Sequence, residues 1–104
     1  MRYNITMKIR ETENYLDWIN SLKDRAGQAI IAARIRRISK GNFGDSKSVG
    51  DGVSELRIDY GPGYRVYFTR RGQEIILLLC GGDKSSQNRD IEAAKQIAKN
   101  IREE

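Results

Sequence analysis

Residues 53–82 read VSELRIDYGPGYRVYFTRRGQEIILLLCGG, and this stretch leaves the chain few ways to fold. Gly61-Pro62-Gly63 separates two runs in which apolar and polar residues alternate, the pattern of two half-buried strands joined by a turn. With the hairpin centred near Pro62, Leu56, Ile58 and Tyr60 share a face with Tyr64, Val66 and Phe68. Glu55, Arg57 and Asp59 fall on the opposite face with Arg65, Tyr67 and Thr69. A second turn near Arg71-Gly72 returns the chain as EIILLLC, apolar on both faces and therefore a central strand.

The flanking segments supply the partners for that sheet. Tyr3, Ile5, Met7 and Ile9 alternate with polar residues, so the first ten residues read as a further strand. Thr12 or Asn14 caps a helix whose inner face carries Tyr15, Trp18, Ile19 and Leu22. After a break at Asp24 to Ala26, a second helix runs to about Lys40, with Ile31, Ile35 and Ile38 inward. Gly41 and Asn42 stop it. Residues 41–52, GNFGDSKSVGDG, read as a loop. The C-terminal residues form a helix with Ile91, Ala94, Ile97, Ala98 and Ile101 in one stripe. The predicted class is α+β, in the order β-α-α-β-β-β-α: an antiparallel sheet with an N-terminal helical hairpin and a C-terminal helix packed on one face. Residues 1–104 make a single domain with one modest core.

Composition narrows the chemistry. The chain holds no histidine and one cysteine, Cys80, which removes the Ser-His-Asp triad and leaves no donor set for a zinc site. No metal and no cofactor is expected. Cys80 lies in an apolar run and reads as a buried, inert thiol. No apolar stretch approaches the roughly 20 residues of a membrane span, and the N-terminus does not read as a signal peptide, so a cytoplasmic location is expected. Nineteen Lys and Arg against fourteen Asp and Glu give a net +5. The excess is concentrated between Ala26 and Lys47, where Arg34, Arg36, Arg37, Lys40 and Lys47 face only Asp45. Such a cluster suits nucleic acid or an acidic protein partner.

The polar face of the hairpin carries Arg57, Asp59, Arg65 and Tyr67. One reading is a solvated face with cross-strand ion pairs such as Asp59 with Arg65. The other is a phosphate site, because Lys84 emerges at the end of the strand beside Arg65, and Lys47 lies in the loop leading to Arg57. Arginine grips phosphate with a planar fork and lysine neutralises it as a point charge. Fixed cations of this kind stabilise the pentacoordinate phosphorus formed when a ribose 2′-OH attacks a phosphodiester. Tyr67 is open between packing, base stacking and proton donation. The segment GGDKSSQ is not a P-loop, since Asp83 precedes Lys84 and Leu78 stands where a glycine is required. Asp83, Ser85 and Ser86 read as helix caps. Trp18, Tyr15 and Phe43 read as core or loop anchors, and Arg36 and Arg37 as either a solvated helix face or a docking surface.

LRIDYGPGYRVYF followed by LLLCGGDKSSQNRDI resembles the RelE/ParE toxin superfamily, and specifically its HigB-like branch of addiction module killer proteins. The resemblance extends over nearly the whole chain. It implies the toxin of a type II toxin–antitoxin pair, neutralised by a HigA-like antitoxin with a helix-turn-helix domain and reaching operator DNA only through that partner. It also implies metal-independent endoribonuclease activity on mRNA at the ribosome, which inhibits translation. Arg65 matches the family's strand arginine and Lys84 its basic position after the last strand; Arg57 and Lys47 are weaker matches. The C-terminal helix has no tyrosine for acid–base work, and Tyr67 is the stand-in.

On this reading Arg65, Lys84, Arg57 and Tyr67 are the expected catalytic residues. Arg34, Arg37, Lys40 and Lys47 are the expected RNA contacts. The alternative is a non-catalytic, ParE-like inhibitor of DNA gyrase acting through the helical hairpin.

Overall fold

A computed structural model describes residues 6–102 of the chain. The elements are β1 (Lys8–Glu11), α1 (Glu13–Ser21), α2 (Arg25–Ser39), β2 (Ser46–Gly50), β3 (Val53–Ile58), β4 (Tyr64–Arg71), β5 (Ile75–Asp83), a 3₁₀ turn (Lys84–Ser86) and α3 (Gln87–Arg102). They form one five-stranded sheet in the order β1-β5-β4-β3-β2. The α+β class and the central place of the apolar β5 are as the sequence predicts. The β3–β4 hairpin places Leu56 opposite Val66 and Glu55 opposite Tyr67.

Three details differ. First, the predicted loop over 41–52 contains a strand, β2, which pairs antiparallel with β3. Its turn is Asp51-Gly52, with φ of 55° and 77°. Two consecutive left-handed residues make the tight hairpin turn that Asp-Gly favours, so the signal was present among the glycines. Second, the sheet is mixed: β1 runs parallel to β5, with Lys8 opposite Ile75. The predicted strand residues Tyr3 and Ile5 lie outside the described residues. Third, the helices cover both faces. Tyr15 of α1 and Ile31 and Ile38 of α2 pack with Leu56, Ile58, Tyr64, Val66, Phe68, Ile76 and Leu78 on one side. Ala94 and Ala98 of α3 pack with Val53, Tyr67, Leu79 and Cys80 on the other. A strand apolar on both faces requires this, because either face left bare would expose a row of large apolar side chains.

The helices start where their caps dictate. The Tyr15 amide donates to Thr12 Oγ1 (3.1 Å), and the Thr12 hydroxyl donates to the Leu79 carbonyl (2.6 Å), which ties α1 to β5. Asp24 caps α2: its carboxylate accepts from the Gly27 amide (2.9 Å) and from the Tyr64 hydroxyl (2.8 Å). The Gly27 amide first, then the Tyr64 hydroxyl, hold the Asp24 carboxyl below its ordinary value, and the same bond pushes the Tyr64 phenol up to about 12. Phe43 anchors the segment before β2 by stacking on Phe68 at 5.9 Å between centroids.

At the end of β5, Gly81 and Gly82 face opposite sides. A β-carbon on Gly81 would collide with the Trp18 ring, and one on Gly82 with the Asp90 carboxylate and Ser86 Oγ. The pair is thin because α1 closes on it from one face and the start of α3 from the other. Asp83 then caps the 3₁₀ turn, accepting from the Ser85 amide at 2.8 Å, and Ser86 Oγ donates to Asp90. The capping roles predicted for Asp83, Ser85 and Ser86 are therefore what the fold uses.

Gly81→Ala is expected to destabilise the protein by about 1–3 kcal/mol through overpacking against Trp18, measured by urea denaturation. An unchanged midpoint would mean that Trp18 is not fixed there. For Asp24 the folded pKa is depressed, so its stabilising contribution is complete above the unfolded value of about 3.9 and is lost as pH falls through the folded one. The difference in denaturation midpoint between wild type and Asp24→Ala should accordingly be wide at neutral pH and narrow in strong acid.

Candidate functional site

Arg57 and Arg65 sit directly opposite each other on β3 and β4, on the face that α3 covers further along. Like charges at opposed positions are unfavourable in an ordinary sheet. Each arginine is held by a different group. Arg57 donates to Asp45 Oδ1 from Nε (3.1 Å) and Nη2 (2.8 Å), an ion pair whose side chains are 39% and 54% exposed. Arg65 is 12% exposed; its Nη1 donates to the carbonyls of Gly63 (3.1 Å) and Tyr64 (3.3 Å), and its Nε lies 3.9 Å from Glu55 Oε1.

The two arginines and Lys84 line one open concavity of about 450 Å³, with Asp45, Asp59 and the Gly61–Gly63 turn completing its wall. Gly63 has φ of 79°, and a β-carbon there would touch both Arg65 Nη1 and Lys84 Cβ at 3.4 Å. The turn therefore lets the ends of β4 and β5 approach closely enough to place both cations at one rim. Among the described residues Lys84 makes no ion pair. It also borders a second polar hollow of about 500 Å³ along the 3₁₀ turn and the first residues of α3.

Beneath the concavity lies Glu55, a fully buried carboxylate. Its Oε2 accepts from the Tyr67 hydroxyl (3.0 Å) and from Gln87 Nε2 (2.9 Å). Sequence reasoning placed Glu55 on the polar face but gave it no role, because its burial depends on α3 crossing that face. Asp45 was likewise missed. It falls in a segment that reads as loop, twelve residues before the arginine it pairs with.

Of the predicted catalytic residues, Arg57, Arg65 and Lys84 come together and Tyr67 does not. Tyr67 is completely buried under α3. Burial, and then the hydrogen bond to Glu55, push its phenol well above the ordinary tyrosine range. With no exposed hydroxyl, Tyr67 has neither a face for base stacking nor a proton within reach of a ligand.

The predicted RNA contacts disperse. Lys47 is exposed on the edge strand β2, opposite Glu55, on the same sheet face as Arg57 but outside the concavity. Arg34 is a structural clamp: its guanidinium donates to the Arg57 carbonyl (2.7 Å) and reaches those of Phe43 and Asp45 (3.4 and 3.5 Å). Arg37 and Lys40 are exposed at the end of α2, a helix that packs on the opposite side of the sheet from α3. The concavity thus presents two guanidinium groups, each partly committed to acceptors of the protein, and one ammonium, beside two carboxylates that limit its net charge to +1. Such an arrangement is chemically suited to an anion such as phosphate, with acidic groups beside it. Among the described residues no cluster of metal-ligating side chains occurs, and no helix is long and apolar enough to cross a membrane.

Comparison with known proteins adds two findings. The family model described as phage derived protein Gp49-like (DUF891) matches residues 17–103. An uncharacterized protein of Haemophilus influenzae is 48% identical over 97 residues, covering 93% of this chain and 98% of its own length.

Tyr67→Phe tests the buried arrangement. Removing one donor from a buried carboxylate is expected to cost about 1–3 kcal/mol of stability. Denaturation in guanidinium should report that loss, and a variant as stable as wild type would show that the Tyr67–Glu55 bond contributes nothing.

Proposed function

The chain belongs to the Gp49-like family of phage-derived proteins, a family of the RelE/HigB toxin type, and from that premise we propose that it is the toxin of a type II toxin–antitoxin pair that cleaves mRNA on the ribosome. The observation that carries this reading is the convergence of Arg57, Arg65 and Lys84 on one concavity. Their chemistry suits a phosphodiester whose phosphorus gains negative charge as the neighbouring 2′-OH attacks it. Arg65 and Lys84 stabilise that charge, and Arg57 either joins them or orients Asp45. The reaction needs the RNA bent so that the 2′ oxygen, phosphorus and leaving oxygen lie in line, and the ribosome supplies that geometry. Free RNA is therefore a poor substrate. The partner is an antitoxin, of the helix-turn-helix kind on the HigA analogy, and the complex works in the cytoplasm.

A second reading has its own observation. Leu16 on α1 and Ile30 on α2 are large apolar residues that stay 39% and 37% exposed, so the helical layer offers a contact surface on the side of the sheet opposite the concavity. A ParE-like inhibitor of DNA gyrase would use such a surface and would not need the concavity.

The deciding experiment is cell-free translation followed by primer extension on the mRNA, with ribosome-free controls. Wild type is expected to produce ribosome-dependent cuts. Lys84→Ala, at an exposed position without an ion pair, should reduce them by about 10²-fold or more at unchanged stability, the usual cost of deleting one transition-state contact. Intact mRNA with normal translation would refute the nuclease, and inhibition of gyrase supercoiling by wild type and Lys84→Ala alike would establish the rival.

A further inference from the structure

Glu55 is the only charged residue whose side chain is fully buried among the described residues. The buried layer on that side of the sheet is otherwise Val53, Tyr67, Leu79, Cys80, Ala94 and Ala98, and the Tyr67 hydroxyl and Gln87 need only a neutral acceptor there. Burying a carboxylate costs several kcal/mol in desolvation, only partly offset by its partners, and replacing such a group with a well-packed apolar one is often stabilising. The fold calls for an acceptor at this position but not for a charge.

Its contacts reach two arms of the concavity. Through Oε2 it holds Gln87, the first residue of α3, whose amide closes the 3₁₀ turn that carries Lys84 by donating to the Lys84 carbonyl. Through Oε1 it faces Arg65 Nε at 3.9 Å, an ion-pair distance, and neither of these two buried atoms has a hydrogen-bond partner. With Nη1 occupied by two backbone carbonyls and Nε turned to Glu55, the guanidinium keeps only Nη2 uncommitted. One buried carboxylate thus faces Arg65 and, through Gln87, is tied to the segment bearing Lys84.

We propose that Glu55 is a positioning residue that orients the Arg65 fork and sets its spacing from Lys84, an inference that rests on the nuclease reading above. Glu55 touches no substrate. It acts by keeping the two cations where charge develops, so that no reorganisation is needed when the phosphate reaches its transition state. Glu55→Gln keeps the shape and the bonds to Tyr67 and Gln87 but removes the charge that faces Arg65. A misplacement of an ångström or so is enough to lower the rate by about 10- to 100-fold.

The test uses the full-length protein in three measurements. Single-turnover cleavage on saturating ribosomes is compared for wild type, Glu55→Gln, Arg65→Lys and the double variant. The Nε–Hε resonance of Arg65 is followed by NMR, and binding of a non-cleavable 2′-O-methyl RNA hexamer is titrated. Positioning predicts that Glu55→Gln slows cleavage by about 10- to 100-fold, affects hexamer affinity far less, and moves the Arg65 resonance. It also predicts that Glu55→Gln adds nothing in the Arg65→Lys background, since the two act as one unit. Losses that multiply in the double variant, or an unmoved resonance with a wild-type rate, overturn it. Should Glu55→Gln fail to fold, Gln87→Ala cuts the tie to α3 at a half-buried position and must lower the rate in a folded protein, or the proposal fails. If wild type cuts no RNA, the nuclease reading falls separately, and the Arg65 resonance still decides whether Glu55 holds that fork.

Discussion

The thinness of β5 at its end is the constraint on which the rest of the molecule depends. Two layers of helix must close on the sheet from opposite sides at Gly81 and Gly82, Trp18 against one and the Asp90 carboxylate against the other. A side chain on either would hold one layer off. With both absent, the chain leaves the sheet sharply, the Asp83 cap starts the next turn, and Lys84 is fixed between a central strand and a long helix. The apolar run that ends in two glycines and a lysine is therefore one device: burial on both faces gives the rigidity, and the glycines give the exit.

The second organising fact is electrostatic. Opposed arginines on adjacent strands repel, and the fold distributes their charge instead of avoiding it. Arg57 turns outward to Asp45, while Arg65 turns inward to backbone carbonyls and a buried carboxylate. The first pair is exposed and weak, so a ligand phosphate can compete for Arg57. The second is dry, so Arg65 keeps its place whether or not a ligand is present. The two guanidinium groups thus differ in exposure and in partners although they are mirror positions in the hairpin.

Much of this was legible in the residues. Alternation around Gly61-Pro62-Gly63 put Leu56, Ile58, Tyr64, Val66 and Phe68 on one face and Glu55, Arg57, Arg65 and Tyr67 on the other, as the fold has them, and the all-apolar β5 announced a central strand. The convergence of Arg57, Arg65 and Lys84 followed from those two readings. What was not legible depended on contacts distant in sequence. The strand after Gly44 is short, polar and pairs only at a sheet edge, so its periodicity was weak and only Asp51-Gly52 marked it. The position of α3 was not encoded in any local pattern; an amphipathic helix reveals which stripe it buries and not which face of the sheet it chooses. That choice decides Tyr67, which alternation leaves on a polar face and α3 seals. Contacts distant in sequence likewise turn Arg34, a member of an evidently basic helix, into a bond donor to the carbonyls of Phe43, Asp45 and Arg57.

The parallel pairing of β1 with β5 sets the order in which the molecule is completed. Lys8 meets Ile75, and Glu11 meets Leu78, so the earliest strand waits for nearly the latest one. Contacts of such long sequence separation form slowly, because the intervening chain must be ordered first. Synthesis proceeds at about 5–20 residues per second, and the elements that bear Arg57 and Arg65 emerge before the strand that delivers Lys84. A partly made chain carries the arginines without β5, α3 or their third cation. The concavity is consequently assembled last, as a property of the finished sheet.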